Sequence, residues 1–348
     1  MDFSPDETQR AVADLARTVI RGAEADYART TAALGSDVGY DESLWKAMAQ
    51  AGLLSLAVPE SVGGDGFGTL EVAAVLTEVG RQTLPVPAYA TLSLGVLPVA
   101  RYGTAEQQQV LAEVGNGAVL TGATSVVPAV TSADGLVLNG RVSGVPYAAQ
   151  ARLILLPTEH GVALVAPDAA GVTLVRTTTS TGAPEYTIVC TDVAVTDVLD
   201  ATVDDVGRFA VAGAAAIADG VLSGAVDLTA EHLRTREQFG KPLATFQAVA
   251  QQIADVYIVA RTVQLAATSV NWRLAAGLDA TDDIDIAAYW LAAEMPRALQ
   301  VCHHLHGGLG VDITYPLHRY YSHGKDLARL VGGSAARLDS IGVRCTSH

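Results

Sequence analysis

Apolar residues recur at three- and four-residue intervals in the first third of the chain. They appear first at Leu15, Val19 and Ile20 and again through residues 44–54. This spacing places apolar side chains on one face of a helix, so the pattern predicts a helical domain over residues 1–118. A glycine-rich stretch at residues 63–68 interrupts the helices. Its glycines would allow close approach of a ligand, although a plain turn is the commoner use of such a loop.

The pattern changes after residue 118. Short runs rich in β-branched residues, such as residues 136–138, 153–156 and 172–175, are separated by Gly, Pro, Asp and Asn. Such runs predict strands. We therefore expect a middle β domain over residues 119–203, built as a small barrel or a sandwich.

From residue 204 the pattern is again helical and rich in alanine, with a polar break at residues 277–285. Four long helices joined by short loops would form an antiparallel bundle, and the small residues 213–216 would allow close helix packing. The predicted fold class is α+β multidomain. It comprises an N-terminal helical domain (1–118), a middle β-barrel domain (119–203) and a C-terminal four-helix bundle (204–348).

Charge and cysteine content narrow the function classes. The formal net charge is -15, with 37 acidic against 22 basic residues, which argues against nucleic acid or an anionic membrane as a partner. The N-terminus is polar and acidic, and the longest apolar runs fall short of the roughly 20 residues that span a bilayer, so we expect a cytoplasmic protein. Cys190, Cys302 and Cys345 are few and widely spaced; we expect reduced, buried thiols and no metal site.

Hydrogen-bond donors are concentrated just before a predicted helix. Arg234, Arg236, Gln238 and Lys241 precede a stretch in which Phe246, Val249, Ile253 and Val256 recur with the spacing of one buried stripe. Donors at a helix end suit an anion such as a pyrophosphate. The alternative is that they only end one helix and start the next.

Three stretches resemble acyl-CoA dehydrogenases. Residues 236–242 (REQFGKP), with Phe246-Gln247 and Ala254-Asp255, resemble the C-terminal signature of that family. Residues 44–81 resemble its N-terminal domain, and residues 304–311 resemble a second C-terminal signature. The resemblance implies FAD as the cofactor, with this chain reaching the ADP half of a neighbouring subunit's FAD. The cofactor-binding residues that it implies are Arg236, Gln238, Phe239, Gln247, His304, Gly307 and Gly308.

The catalytic base of the family has no counterpart in this chain. The family's reaction removes a proton beside the thioester while a hydride leaves the next carbon for the flavin, so a carboxylate must lie near the substrate. Gly332 stands where the family usually carries its Glu, and Gly207 stands at the other family position, before Arg208. We therefore predict no catalytic residue in this chain. Asp204 and Asp205 are the nearest substitutes.

The flavin-ring contacts are altered as well. Residues 121–125 and 143–146 replace the family's Thr-Glu-Pro-like and Trp-Ile-Thr-like segments, and the middle domain has no Trp. The retained elements are those that the family lends to a neighbour, whereas the lost ones serve a subunit's own substrate. We therefore favour a non-catalytic subunit that pairs, as a heterotetramer, with a homologous catalytic acyl-CoA dehydrogenase subunit. The partner would bind most of the acyl-CoA.

Residues 310–321 resemble the subgroup that degrades steroid side chains in actinobacteria, so we favour a steroid side-chain CoA thioester as substrate. Electron-transfer flavoprotein is a candidate electron acceptor. Two alternatives stay open. One is an active homo-oligomeric acyl-CoA dehydrogenase with a displaced carboxylate base, and the other is a non-enzymatic structural adaptor.

Overall fold

The computed structural model describes residues 3, 5–22, 27–132 and 135–346. Met1, Asp2 and Ser4, which belong to the polar, acidic N-terminus on which the expectation of a cytoplasmic protein rests, lie outside the described residues. Helices fill the N-terminal third, as the apolar spacing predicts. They are α1 (Glu7–Gly22), α2 (Tyr27–Gly35), α3 (Glu42–Gln50), α4 (Thr69–Arg81) and α5 (Leu97–Tyr102), with a π-helix at Tyr89–Val96 and 3-10 turns at Glu60–Val62 and Gln107–Asn116.

The middle segment is entirely β apart from one short 3-10 turn, Ala148–Gln150. Its strands form two four-stranded sheets, in the orders β1-β4-β5-β8 and β2-β3-β7-β6. All neighbouring strands in them are antiparallel except β1 and β4, which pair in parallel. The strands are β1 (Val119–Gly122), β2 (Ala129–Ser132), β3 (Gly135–Pro146), β4 (Ala151–Thr158), β5 (Gly161–Val165), β6 (Val172–Thr177), β7 (Glu185–Val195) and β8 (Val198–Leu199).

The C-terminal part is a bundle of four helices with a fifth packed on it. The bundle helices are α6 (Val203–Thr235), α7 (Gln247–Ala275), α8 (Thr281–His306) and α9 (Leu317–Leu330), and α10 (Gly333–Thr346) follows them. A hairpin of β9 (Glu237–Gln238) and β10 (Lys241–Pro242), with a 3-10 turn at Leu243–Thr245, joins α6 to α7; a 3-10 turn at Gly307–Val311 joins α8 to α9.

Helix α6 is the core of the molecule, and α4 lies against it at very short distance. A Cβ placed on Gly80 of α4 would lie 2.3 Å from the carbonyl oxygen of Ile217, and one on Gly220 of α6 would lie 2.0 Å from that of Thr77. Gly213 similarly lies against the Ser93 side chain. The small residues of α6 therefore do allow close packing. Their neighbours are the N-terminal helices.

Two helices are long and apolar enough, by length and composition alone, to cross a membrane. The expectation that no apolar segment is long enough therefore needs correction, because whole helices are more apolar than their longest unbroken runs. Of the most apolar window of each helix, 83% is buried in α6 but only 28% in α7. Tyr257, Ile258 and Leu265 of α7 are exposed. We call these three residues the α7 apolar face.

Cys190 and Cys302 are buried thiols, as expected, whereas Cys345 is exposed. The prediction of three buried thiols was wrong at Cys345 because α10 lies on the surface of the bundle, with no buried residue of its own.

Candidate functional site

A cavity of about 490 Å³ lies where the N-terminal helices, the sheet β2-β3-β7-β6 and α9 meet. We call it the central cavity. Its walls are mainly apolar and include Leu34 of α2, Val79 of α4, Leu84 and Tyr89 after it, Ile217 of α6, and Leu327 and Leu330 of α9. Its volume lies within the range of small-molecule sites. Leu330, two residues before Gly332, lines this cavity.

Two carboxylates line the central cavity, and both are engaged. Asp326 of α9 accepts hydrogen bonds from the backbone N–H of Ser180 and of Thr181, and from Thr181 Oγ1, each at 2.9 Å. Glu185 Oε2 lies 2.5 Å from Arg329 Nη2. These contacts fasten the β6–β7 loop onto α9, so both acids serve to hold one wall of the cavity.

Burial keeps three further groups of the cavity, Tyr89, Tyr147 and His323, neutral at physiological pH. Burial raises the pKa of Tyr89 and of Tyr147 well above the usual value for a phenol. The Tyr89 hydroxyl donates a hydrogen bond to the carbonyl oxygen of Ala210, with 3.1 Å between the two oxygens. Burial lowers the pKa of His323 to about 4. The cavity therefore offers apolar surface, neutral polar groups, the guanidiniums of Arg319 and Arg329, and two occupied carboxylates.

The second family position for the base does not face this cavity. Arg208, with Asp205, lines a different cavity, whereas the part of α6 that reaches the central cavity is at Ile217. The Asp205 carboxylate accepts hydrogen bonds from Thr202 N and Thr202 Oγ1 and so caps the start of α6. Asp204 is exposed to solvent. The two family positions for the base therefore lie at different cavities in this chain.

The predicted cofactor residues after α6 lie on an exposed two-residue hairpin. Phe239 and Gly240 both have positive φ, 52° and 74°, as in the tight turns that join antiparallel strands. A positive φ is rare for an aromatic residue, and Phe239 is nevertheless 92% exposed. Lys241 Nζ lies 4.4 Å above the Phe246 ring, which fixes the base of the hairpin. Arg236, Gln238 and Gln247 are also exposed.

The apolar stripe predicted behind the hairpin is only partly buried. Val256 is buried, whereas Phe246, Val249 and Ile253 are half-buried.

The second group of predicted cofactor residues lies at the same end of the bundle. The rings of His232 on α6 and His306 on α8 stack with centroids 4.3 Å apart, which ties the end of α6 to the start of the Gly307–Val311 turn. His306 is fixed by Cys302 O at 2.8 Å and by the Tyr315 hydroxyl at 3.1 Å. Burial lowers the pKa of both histidines, so the stack is neutral at physiological pH.

Gly307 and Gly308 are exposed, and a Cβ built on either would have no neighbouring heavy atom within 4 Å. Their backbone is therefore open to a ligand from outside. His304 is exposed beside them. All seven predicted cofactor residues are thus exposed at one end of the bundle, and none of them lines the central cavity. Their role as cofactor ligands stays a prediction.

Comparison with known proteins gives full-length matches. The family model "Acyl-CoA dehydrogenase, N-terminal domain" matches residues 6–117, and "Acyl-CoA dehydrogenase, C-terminal domain" matches residues 204–344. Acyl-CoA dehydrogenase FadE28 of Mycobacterium tuberculosis is 46% identical over 356 residues, which cover 99% of both chains.

Solved structures of heteromeric assemblies are similar as well. A chain of the ChsE4-ChsE5 complex from Mycobacterium tuberculosis is 32% identical with a TM-score of 0.94, covering 100% of both chains. A chain of the Tcur3481-Tcur3483 steroid ACAD G363A variant is 33% identical with a TM-score of 0.93, covering 98% of both.

Proposed function

This chain belongs to the acyl-CoA dehydrogenase family, and we propose that within it the chain is the non-catalytic subunit of a heteromeric, FAD-dependent enzyme. The observation that carries the proposal is that the central cavity offers no carboxylate free of other contacts among the described residues. Among the described residues that line it, the carboxylates are Glu185 and Asp326, and both are engaged in contacts that hold the cavity wall.

A general base must be free to take a proton from the substrate carbon. A carboxylate whose oxygens are occupied by a guanidinium or by several N–H donors is not free to approach a substrate carbon. Glu185 is held in this way by Arg329, and Asp326 by the β6–β7 loop. The proposal therefore assigns proton removal to a carboxylate of another subunit.

FAD is the cofactor of this family, and when bound it supplies the acceptor for the substrate's hydride. The residues of this chain that would hold it are Arg236, Gln238, Phe239, Gln247, His304, Gly307 and Gly308. They fit a ligand that approaches from outside, because their side chains or backbone are exposed and Gly307 and Gly308 leave their surroundings open. Arg236 would pair with the pyrophosphate, and the open glycine backbone would accept it closely.

The nature of the partner is supported by the α7 apolar face and by the relatives. Exposed apolar side chains on a long helix are commonly covered by another subunit. Two solved relatives are described as the ChsE4-ChsE5 complex and as a Tcur3481-Tcur3483 steroid ACAD. We therefore assign a homologous catalytic subunit as the partner, in a cytoplasmic heterotetramer that oxidises a steroid side-chain CoA thioester. Electron-transfer flavoprotein stays the candidate acceptor.

The test is to purify the chain alone and with its companion, and to measure flavin absorbance and thioester oxidation in each preparation. We expect little flavin and no turnover from the chain alone, and both from the complex, with steroid thioesters preferred over straight-chain ones. Stoichiometric FAD and acyl-CoA oxidation by the chain alone would refute the proposal.

One observation favours a second candidate function. Glu185 and Asp326, unlike Asp204 and Asp205, do line the central cavity, so either is a candidate for the displaced base of an active homo-oligomer. That function requires turnover from the chain alone, so the same purification separates it from the non-catalytic role.

A further inference from the structure

A second cavity, of about 640 Å³, opens at the start of α6, and we call it the Arg208 cavity. It is lined by the 63–68 loop, the end of α5, the start of α6 and the end of α7. Because α6 has 33 residues and rises about 1.5 Å per residue, the two ends of this helix are about 50 Å apart. The cavity is therefore far from the hairpin that follows α6.

The Arg208 cavity is also separate from the central cavity. Helix α4 borders both, with Thr69 in the Arg208 cavity and Val79 in the central one. Ten residues of helix correspond to about 15 Å. A ligand in the Arg208 cavity would thus lie apart from the central cavity and from the seven predicted cofactor residues, beside the family's second base position on α6.

Two guanidinium groups face the Arg208 cavity with unused donors. Within the described part of the chain, Arg101 has no hydrogen-bond or ion-pair partner, although it lines the cavity. Arg208 lies 3.9 Å from the Asp205 carboxylate, at the limit of an ion pair.

Asp205 does little to neutralise these arginines. Its carboxylate already accepts from Thr202 N at 2.9 Å, from Thr202 Oγ1 at 2.8 Å and from the Tyr102 hydroxyl at 3.1 Å. Those donors, with the charge of Arg208, keep its pKa below the usual range even though burial opposes this. The lining carries two guanidiniums and two carboxylates, Glu60 and Asp205, so its formal charges balance, and what it offers an anion is the spare hydrogen-bond donors of Arg101 and Arg208.

The rest of the lining suits a flat, hydroxylated molecule. Phe67 is 39% exposed and borders the cavity between Gly66 and Gly68, where the backbone carries no side chain that would block access. The carboxylate of Glu60 is exposed at the same wall and can accept hydrogen bonds from hydroxyl groups. The glycine-rich loop noted in the sequence therefore forms one wall of this cavity.

We propose that the Arg208 cavity binds a nucleotide. Its phosphates would lie between Arg101 and Arg208, its base on the Phe67 ring and its sugar hydroxyls near Glu60. Arginine recognises phosphate through paired, charge-assisted hydrogen bonds, and aromatic side chains stack on bases. The cavity volume lies in the range of small-molecule sites.

The experiment is calorimetric titration of the full-length chain, in the assembly in which it purifies, with ADP, adenosine and inorganic pyrophosphate. We expect ADP to bind more tightly than either fragment. The Arg101→Ala, Arg208→Ala double variant should weaken ADP binding by roughly tenfold for each arginine removed. The matched control is Arg176→Ala, an exposed arginine of β6 outside both cavities, which should leave ADP affinity unchanged.

Further variants distinguish a loss of ADP binding from misfolding and from binding at another site. The Lys replacements Arg101→Lys and Arg208→Lys keep the charge but lose the paired geometry, so they should give an intermediate loss even if the alanine variant folds poorly. Arg236→Ala tests whether ADP binds at the hairpin instead: the loss of affinity caused by Arg101→Ala, Arg208→Ala should be the same with and without this change. The proposal is overturned if ADP fails to bind at millimolar concentration, or if affinity depends on Arg236 and not on Arg101 and Arg208. Flavin content of the same samples reports separately on the subunit role.

Discussion

Gly332 and Gly333, where the family's base would be expected, have φ values of 85° and 79°. These are conformations that residues with a side chain adopt only at a cost. The acid is thus absent together with the backbone geometry that would carry it. Restoring one side chain should not restore a base.

At this scale we predict that the Gly332→Glu variant, purified without a partner, is still inactive. The substitution should lower the free energy of unfolding by about 1 kcal/mol, the usual cost of a side chain at positive φ. Urea denaturation and a thioester oxidation assay measure both effects. Ala335→Glu, which adds the same charge at an exposed position of α10, should be nearly neutral. Turnover by Gly332→Glu alone would show that only the missing acid kept the chain inactive.

A second residue-scale prediction concerns Arg236. In the co-purified complex, Arg236→Ala should weaken FAD binding by about 1.5 to 3 kcal/mol, as for the loss of a charged hydrogen bond. Flavin retained after dialysis measures this. The control is Arg234→Ala, because Arg234 is exposed and already bonded to Glu231 at 2.5 Å. Unchanged flavin in Arg236→Ala would favour the structural adaptor.

At the scale of elements, α4 and α6 can pack as closely as they do only because glycines stand at the contact between them. A Cβ at Gly220 would lie 2.0 Å from the Thr77 carbonyl oxygen, so Gly220→Ala should force the helices apart and cost about 1 to 3 kcal/mol. Gly207 lies on the same helix with no heavy atom within 4 Å of its Cβ position. Gly207→Ala should therefore be neutral or stabilise by up to about 1 kcal/mol. Equal changes in melting temperature for Gly220→Ala and Gly207→Ala would contradict this packing.

Helix α6 also carries a buried acidic residue, Asp219. Burial raises the pKa of Asp219 to about 6 from 3.8, while Arg81, Ser223 and Arg261 oppose the shift. The native state therefore binds this proton more tightly than the unfolded chain does, so this group's contribution to stability falls as the pH rises from about 4 to 6.

Asp219→Asn should accordingly stabilise the protein at pH 8, by an amount on the order of 3 kcal/mol at most, and have little effect at pH 4. Denaturation at the two pH values measures the difference. Asp204→Asn, at an exposed acid of the same helix, is the control and should show no such pH dependence. A stabilisation by Asp219→Asn that is the same at both pH values would contradict the buried charge.

At the scale of the whole molecule, the sequence predicts the three segments but not the way they meet. Apolar spacing and β-branched runs are local signals, so they identify the helices and strands directly. The central cavity instead depends on contacts such as Glu185 with Arg329, which lie 144 residues apart. The predicted boundaries near residues 118 and 203 and the roles of the cofactor residues stay predictions.

Resemblance supplied the candidate residues, and the structure showed which of them share a surface. The hairpin and the glycine turn came together through the His232–His306 stack, which no local pattern indicates. The sequence also did not indicate that Arg208, used to locate the family's second base position, lines a cavity other than the central one. The direction of a side chain depends on its position around α6, which a short match does not give.

The central claim is that the base belongs to the partner, and flavin reduction in the assembled complex tests it most directly. A single dose of thioester is mixed with the complex, and bleaching of the flavin absorbance is followed in two variants. When this chain carries Glu185→Gln and Asp326→Asn together, we predict a rate within a fewfold of the unmodified complex. When the partner's catalytic Glu is replaced by Gln, the rate should fall by about 10²-fold or more. The reverse outcome, with bleaching lost in the first variant and kept in the second, would contradict the account.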